Sequence, residues 1–287
     1  MAHTTNQPDS LNRQIRVMVW GQPRGLTTAL MRSFECVPNV ELVYEPYSAA
    51  AICGPQRHRG YLGVDLPTID RLTFAFVKDK LESEFDGKRL IVVKDFPFSL
   101  KGDWTHLPDG YKHVFFIRHP ARAFTSSYRV LASIVASDQA EEAFKHYWKG
   151  AGLNYPDLQC LYDEITRREG GKQPLIFDAD DLLRDPKGML KNLCTNIGID
   201  YTESMLKWDE KQQIEWNAEK EYLEADKKIF HGNSLSTTGF FPWKPLPDLD
   251  EMPKVVQEYV DVSLECYERL RSKCLPSQTI ENGNESQ

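Results

Sequence analysis

What most constrains this chain is a set of short, continuously apolar runs, each halted by a charged or turn-forming residue. Ile15-Arg16-Val17-Met18-Val19-Trp20 stops at Gly21, and Glu41-Leu42-Val43-Tyr44 stops at Glu45-Pro46. Leu90-Ile91-Val92-Val93 ends at Lys94-Asp95, and His113-Val114-Phe115-Phe116-Ile117 ends at Arg118-His119-Pro120. Pro174-Leu175-Ile176-Phe177 is a fifth run. Runs this short and this β-branched fit strands buried on both faces. Helical stretches separate or follow them, at about 26–36, 69–84, 121–136, 140–168, 186–197 and 251–272. The alternation predicts an α/β fold of three layers, a parallel sheet flanked by helices. In such sheets ligands bind beyond the carboxyl ends of the strands. Four runs deliver Arg24, Glu45, Lys94 with Asp95, and Arg118 to that edge, which places the expected site there.

At 287 residues the chain is long enough for one large domain, expected over 14–275. Residues 1–13 and 276–287 are polar and aperiodic, and are expected to be disordered. The formal net charge of -7 argues against a general nucleic-acid binder, while leaving room for a local basic pocket. It also favours a cationic or neutral small acceptor over a sulfated polysaccharide. No run approaches the roughly 20 apolar residues that span a bilayer, and residues 1–13 lack the apolar core of a signal peptide. A cytoplasmic protein with no membrane partner is therefore expected. The six cysteines are scattered without C-x-x-C or paired His spacing, so they read as thiols, and no metal site is expected.

Between the first strand and the first helix runs Gly21-Gln22-Pro23-Arg24-Gly25-Leu26-Thr27-Thr28. A strand passing through a glycine turn into a helix gathers unpaired backbone N–H groups at the positive end of the helix dipole, which suits a phosphate. Thr27 and Thr28 add hydroxyls in the first turn, and Arg24 adds a planar, permanently charged fork. The loop is not a Walker A loop, because Leu26 stands where its second glycine belongs and Thr27 where its lysine belongs.

This segment resembles the 5′-phosphosulfate loop, roughly P-[KR]-S-G-[ST]-[ST], of sulfotransferases that use 3′-phosphoadenosine 5′-phosphosulfate (PAPS). Gly25-Leu26 replaces the family's Ser-Gly. The stretch from Arg118-His119-Pro120 through Ser126 to Tyr128 is similar to the family's 3′-phosphate segment, R-[DN]-P-x-x-x-x-x-S. A third likeness, structural in character, spans Leu175 to Pro186 and on to the Ile197-Gly198-Ile199 turn. The resemblance covers most of residues 15–208 and implies a P-loop-NTPase-like sulfotransferase fold. It further implies contacts to PAPS, or to its product PAP, from Gln22, Pro23, Arg24, Gly25, Leu26, Thr27, Thr28, Arg118 and Ser126. Where the family closes a late R-K-G loop over the nucleotide, this chain has Ser236, Thr237 and Thr238, which either substitute or form an ordinary surface turn.

The implied activity is in-line transfer of a sulfuryl group from PAPS to a hydroxyl or amine of a small molecule, with a carboxylate as base and no metal. Arg24 is the expected stabiliser of the leaving phosphate. Animal cytosolic members carry their histidine base in a K-T-H-L-P run, but this chain has Lys94-Asp95-Phe96-Pro97. Other branches use a glutamate ending the second strand, so Glu45 is the expected base, Asp95 the second candidate, and Lys94 a partner for the transferring group. The acceptor pocket is expected from Glu45 to about Thr73, after Lys94, near 132–147 and near Phe240. Two other readings remain at this stage, a P-loop kinase or phosphotransferase and a noncatalytic nucleotide-binding protein of the same fold.

Overall fold

The computed structural model describes residues 14–150, 154–211, 215–231 and 235–275. The expected disordered ends, 1–13 and 276–287, lie outside the described residues. All five expected strands form: β1 (Ile15–Gly21), β2 (Val40–Tyr44), β3 (Leu90–Asp95), β4 (Lys112–Ile117) and β5 (Leu175–Asp178). They build one parallel sheet in the order β2-β3-β1-β4-β5. Val17 faces Val92 on one side of β1, and Val19 faces Val114 on the other. From β1 the chain winds outward first to one side and then to the other. The carboxyl end of β1, between those of β3 and β4, is therefore the switch point where such sheets open a crevice.

Alternation along the strands explains why the apolar runs are continuous. Met18, Trp20, Ile91, Val93, Phe115 and Ile117 enter the core on one face, while Val17, Val19, Leu90, Val92, Val114 and Phe116 enter the core on the other. Each face is covered by helices, which makes the three layers. One cover is α1 (Thr27–Phe34) with α8 (Pro186–Ile197); the other includes α2 (Pro46–Cys53), α3 (Phe74–Glu82), α4 (Pro120–Ala132), α5 (Ala140–Gly150), α6 (Tyr155–Arg168) and the last helix, Lys254–Arg271. A short α7 (Ala179–Arg184) follows β5, and α9 (Lys220–Asp226) runs into a π-helical turn, Lys227–His231.

Several helix boundaries differ from the sequence expectation for local reasons. The stretch 69–84 begins its helix only at Phe74, where the Thr73 hydroxyl accepts the Phe76 N–H at 3.0 Å. The expected single helix over 140–168 is two helices, because Asn154 takes a left-handed conformation (φ 62°) and Pro156 opens the next helix. The helix α2 was not expected at all. Its eight residues, PYSAAAIC, are all buried, so no polar face marks a period.

The core also holds a titratable group. Trp20, fully buried, donates its indole N–H to Nδ1 of His113 at 3.0 Å. That bond requires an unprotonated Nδ1, and burial pushes the imidazole from its ordinary 6.5 down to about 4. A depressed histidine contributes stability above its unfolded pKa and loses it as pH falls through the folded one. Urea midpoints measured between pH 7 and 4.5 should therefore fall more steeply for the natural chain than for His113→Gln, which keeps an acceptor but does not titrate. Parallel pH profiles for the two proteins count against this role.

Candidate active site

At the carboxyl end of β1 the loop folds back on itself, with the Gly25 N–H donating to the Gln22 carbonyl at 3.0 Å. A Cβ on Gly25 would stand 2.7 Å from that same oxygen, so only glycine fits the turn. On either side of it Arg24 and Leu26 adopt left-handed backbone, φ 63° and 65°. The first backbone bond of α1 runs from Leu30 N–H to Leu26 O at 3.0 Å. The amides of Thr27, Thr28 and Ala29 thus precede any helical acceptor. All of these residues from Pro23 to Ala29 line one cavity of about 430 Å³. The expected phosphate cradle is a real concavity with free donors at a helix start.

Arg118 closes the same cavity from the end of β4. Its Nη1 donates to the Arg24 carbonyl at 2.6 Å, while its Nε is buried with no hydrogen-bond partner among the described residues. Burial lowers the Arg118 guanidinium to about 10, which leaves it charged at neutral pH. Ser126, on α4, meets the site through Arg24, whose Nε donates to the Ser126 hydroxyl at 3.1 Å. Arg24 therefore sits between the two expected anion cradles and ties them together. It also lies over Phe230, donates from Nη1 to the Phe230 carbonyl at 3.3 Å, and has its pKa lowered by burial. Gln22, fully buried, stays behind the wall: its Nε2 donates to the Arg118 carbonyl at 3.1 Å and binds the two strand ends together.

Lys94, Asp95 and Glu45 divide three tasks. Glu45 caps α2 in sequence but not in chemistry; it has φ 46° and makes no side-chain cap. Asp95 does that work from β3, accepting the N–H groups of Tyr47 (2.6 Å) and Ser48 (3.2 Å), the Ser48 hydroxyl (2.7 Å) and the Phe96 N–H (2.8 Å). Desolvation still raises the Asp95 carboxyl to about 6, with those hydrogen bonds pulling the other way. Asp95 is 0% exposed and does not line the cavity, so its placement is that of a helix cap. Glu45, freed from capping, turns into the cavity and forms a buried ion pair with Lys94, its other oxygen accepting the Tyr222 hydroxyl. Burial holds the Lys94 ammonium well below the ordinary lysine range, the field of Asp226 opposing the shift. Its Nζ lies 4.8 Å from the Tyr44 ring centre and 4.0 Å from that of Phe96.

A wall that the sequence reading missed comes from α9 and the π turn. Tyr222, Asp226 and Phe230, four residues apart, all reach the cavity. Asp226 accepts the hydroxyls of Tyr44 (2.7 Å) and Tyr61. Its burial gives both phenols raised pKa values, desolvation being the first cause for each. A mixed Tyr/Asp/Phe repeat carries no hydrophobic period; the spacing of four was the only signal. Of the expected acceptor regions, Ser48, Ile52, Arg59 and Tyr61, Phe96 and Phe98, His146 and Tyr147, and Phe241 reach the cavity. Ser236, Thr237 and Thr238 do not. A bridge between Lys207 and Gly239 draws that segment onto Trp208, whose indole N–H faces the Thr237 hydroxyl at 3.4 Å and whose backbone N–H donates to the Thr238 carbonyl at 3.1 Å.

Residues 15–255 match the family described as the sulfotransferase domain. The chain belongs to that family. The sulfotransferase from Alicyclobacillus acidocaldarius superposes with a TM-score of 0.51 at 16% identity, covering 91% of this chain and 96% of that one, which shows a shared fold. Two Arabidopsis thaliana proteins, branched-chain-amino-acid aminotransferase-like proteins 2 and 1, are 29% and 28% identical over 209 and 189 residues. Those matches take in 67% and 66% of this chain, which spans about a third (32% and 31%) of the length of these curated relatives. Among the described residues of this sulfotransferase-family chain, no helix is long and apolar enough to cross a membrane.

The split between the two carboxylates is testable by stability alone. Asp95→Ala strands three buried backbone donors and a hydroxyl at the start of α2, and should cost roughly 3 kcal/mol or more in urea unfolding. A loss under about 1 kcal/mol contradicts the capping role.

Proposed function

We propose that this chain transfers a sulfuryl group from PAPS to a hydroxyl or amine of a small acceptor, by in-line displacement. The observation that carries the reading is the convergence of two anion-binding ends, the Thr27–Thr28 amide edge and Arg118, on a single cavity that also holds Lys94 and Glu45. The orphan Nε of Arg118, the unbonded first amides of α1 and the glycine-only turn at Gly25 fit a phosphorylated nucleotide. PAPS supplies an activated sulfuryl group whose S–O bond to phosphate breaks as the acceptor's bond to sulfur forms, the electron pair leaving on the phosphate oxygen of PAP.

Each residue then has a defined share. Thr27, Thr28 and the α1 amides receive the 5′-phosphate oxygens, and Arg24 exchanges Ser126 for the oxygen on which charge develops. Arg118, with Ser126 released from Arg24, takes the 3′-phosphate. Glu45 accepts the proton of the acceptor hydroxyl or amine: each of its oxygens keeps a lone pair beyond those used by Lys94 and Tyr222. Lys94 and Tyr222 orient that carboxylate, and the Lys94 ammonium faces the transferring group. Water has little access to this pair, since Glu45 and Lys94 are each 2% exposed, which strengthens every charge contact between them.

Calorimetric titration of PAP in metal-free buffer should show binding, followed by PAPS turnover over a panel of alcohols, phenols and amines. Arg24→Ala should lower turnover roughly hundredfold or more while changing PAP affinity far less. Arg118→Ala should weaken PAP binding by roughly 1.5–3 kcal/mol. Glu45→Gln should abolish most turnover at unchanged PAP affinity; full activity in that variant removes Glu45 as base while leaving the donor assignment intact. Binding of magnesium ATP in place of PAP would sink the donor assignment itself.

A further inference from the structure

We propose that the acceptor carries a carboxylate on an apolar body, and that Arg59 binds this carboxylate. The inference rests on the sulfuryl-transfer reading and names the substrate class of the same site. Among the described residues, the cavity is lined by four strong cations, Arg24, Arg59, Lys94 and Arg118. Three are engaged: Lys94 with Glu45, Arg24 with Ser126 and the Phe230 carbonyl, and Arg118 with the Arg24 carbonyl. Arg59 is not. Its Nε is buried without a partner, and among the described residues its side chain makes no hydrogen bond or ion pair. Asp157, on α6, acts on it electrostatically but lies beyond ion-pair range.

A guanidinium does not shed its charge, so burial leaves Arg59 desolvated and unmatched, with its pKa lowered by that burial. Its plane sits 4.0 Å from the ring centre of Phe98. That contact holds the fork in place and satisfies none of its donors, an arrangement suited to a planar carboxylate. Arg59 enters from the loop after α2, beside Tyr61, whereas the phosphate cradles belong to the ends of β1 and β4. The surrounding rings of Tyr61, Phe98 and Tyr147 offer the body of the acceptor an apolar wall. The charge of the whole chain pointed toward a cationic or neutral acceptor; the charge left over inside the cavity points the other way.

The probes are 4-hydroxyphenylacetate and its methyl ester, titrated calorimetrically onto the full chain with and without PAP. The acid should bind at least about tenfold more tightly than the ester, the scale of one charged hydrogen bond. Arg59→Gln should erase that preference, Arg59→Lys should keep part of it, and Asp157→Asn should keep all of it. PAP affinity and the KM for PAPS should be unchanged in Arg59→Gln. Equal affinity for acid and ester, no binding of the acid, or a preference that survives Arg59→Gln overturns the proposal. So does weakened PAPS binding in that variant, which would make Arg59 a donor contact. Failure of PAP to bind anywhere strikes the sulfuryl-transfer reading instead, and the nucleotide-free comparison of acid and ester still stands or falls separately.

Discussion

The positive end of α2 must be matched by an anion, and the residue that matches it decides what Glu45 is free to do. Asp95 arrives from the neighbouring strand and takes the Tyr47 and Ser48 amides. With that end satisfied, Glu45 can sit in left-handed backbone with its side chain turned away from its own helix. Lys94, one residue before Asp95 on β3, points to the opposite side of the strand and meets Glu45 there. Alternation along a single strand therefore separates a structural carboxylate from a reactive pair. Neither half of the Lys94–Glu45 pair stands alone, since removing one leaves the other charged, buried and uncompensated.

Backbone strain gathers at the same edge. Arg24, Leu26, Glu45 and Leu62 are non-glycine residues with positive φ, and all four border the cavity. Each left-handed residue of this kind costs roughly 1–2 kcal/mol. The surrounding contacts hold the strain in place: Gly25 bonded to Gln22, Arg118 on the Arg24 carbonyl, and the Glu45 N–H on the Lys94 carbonyl at 2.8 Å. Strain of this sort persists where it aims donors and side chains at a common point. Here it turns the start of α1 and the start of α2 toward one another across the switch point of the sheet.

Much of this was legible in the sequence because the sheet is covered on both sides. Every residue of a strand such as Leu90–Val93 is apolar, and the first polar residue marks the strand end and hence the ligand edge. That is why Arg24, Glu45, Lys94 and Arg118 were found before any coordinates and do converge on one cavity. The strands' own logic also hid things. Asp95 looked as available as Glu45, since linear sequence does not say that a helix begins immediately beside it. The wholly buried α2 has no amphipathic period, and Ser236–Thr238 drew attention through hydroxyl content, which says nothing of where a loop packs.

The far wall was illegible for a different reason. Tyr222, Asp226 and Phe230 share a face only because of their helical setting. In an α-helix a spacing of four drifts by about 40° at each step, and the wider π turn at Lys227–His231 counters that drift just where Phe230 must come round beneath Arg24. No residue in the repeat is individually diagnostic, yet the three touch three different functions: Tyr222 the Glu45 carboxylate, Asp226 the Tyr44 and Tyr61 phenols, Phe230 the arginine of the phosphate loop. One short segment thus couples the nucleotide end of the cavity to its acceptor end. With Glu45 held by Lys94 and Tyr222, and Asp226 held by two phenols, both carboxylates of the cavity have their charge matched from within the protein. The charge that remains to be matched by a ligand at the acceptor end is positive, which is why the net charge of the whole chain was a poor guide to what this pocket takes.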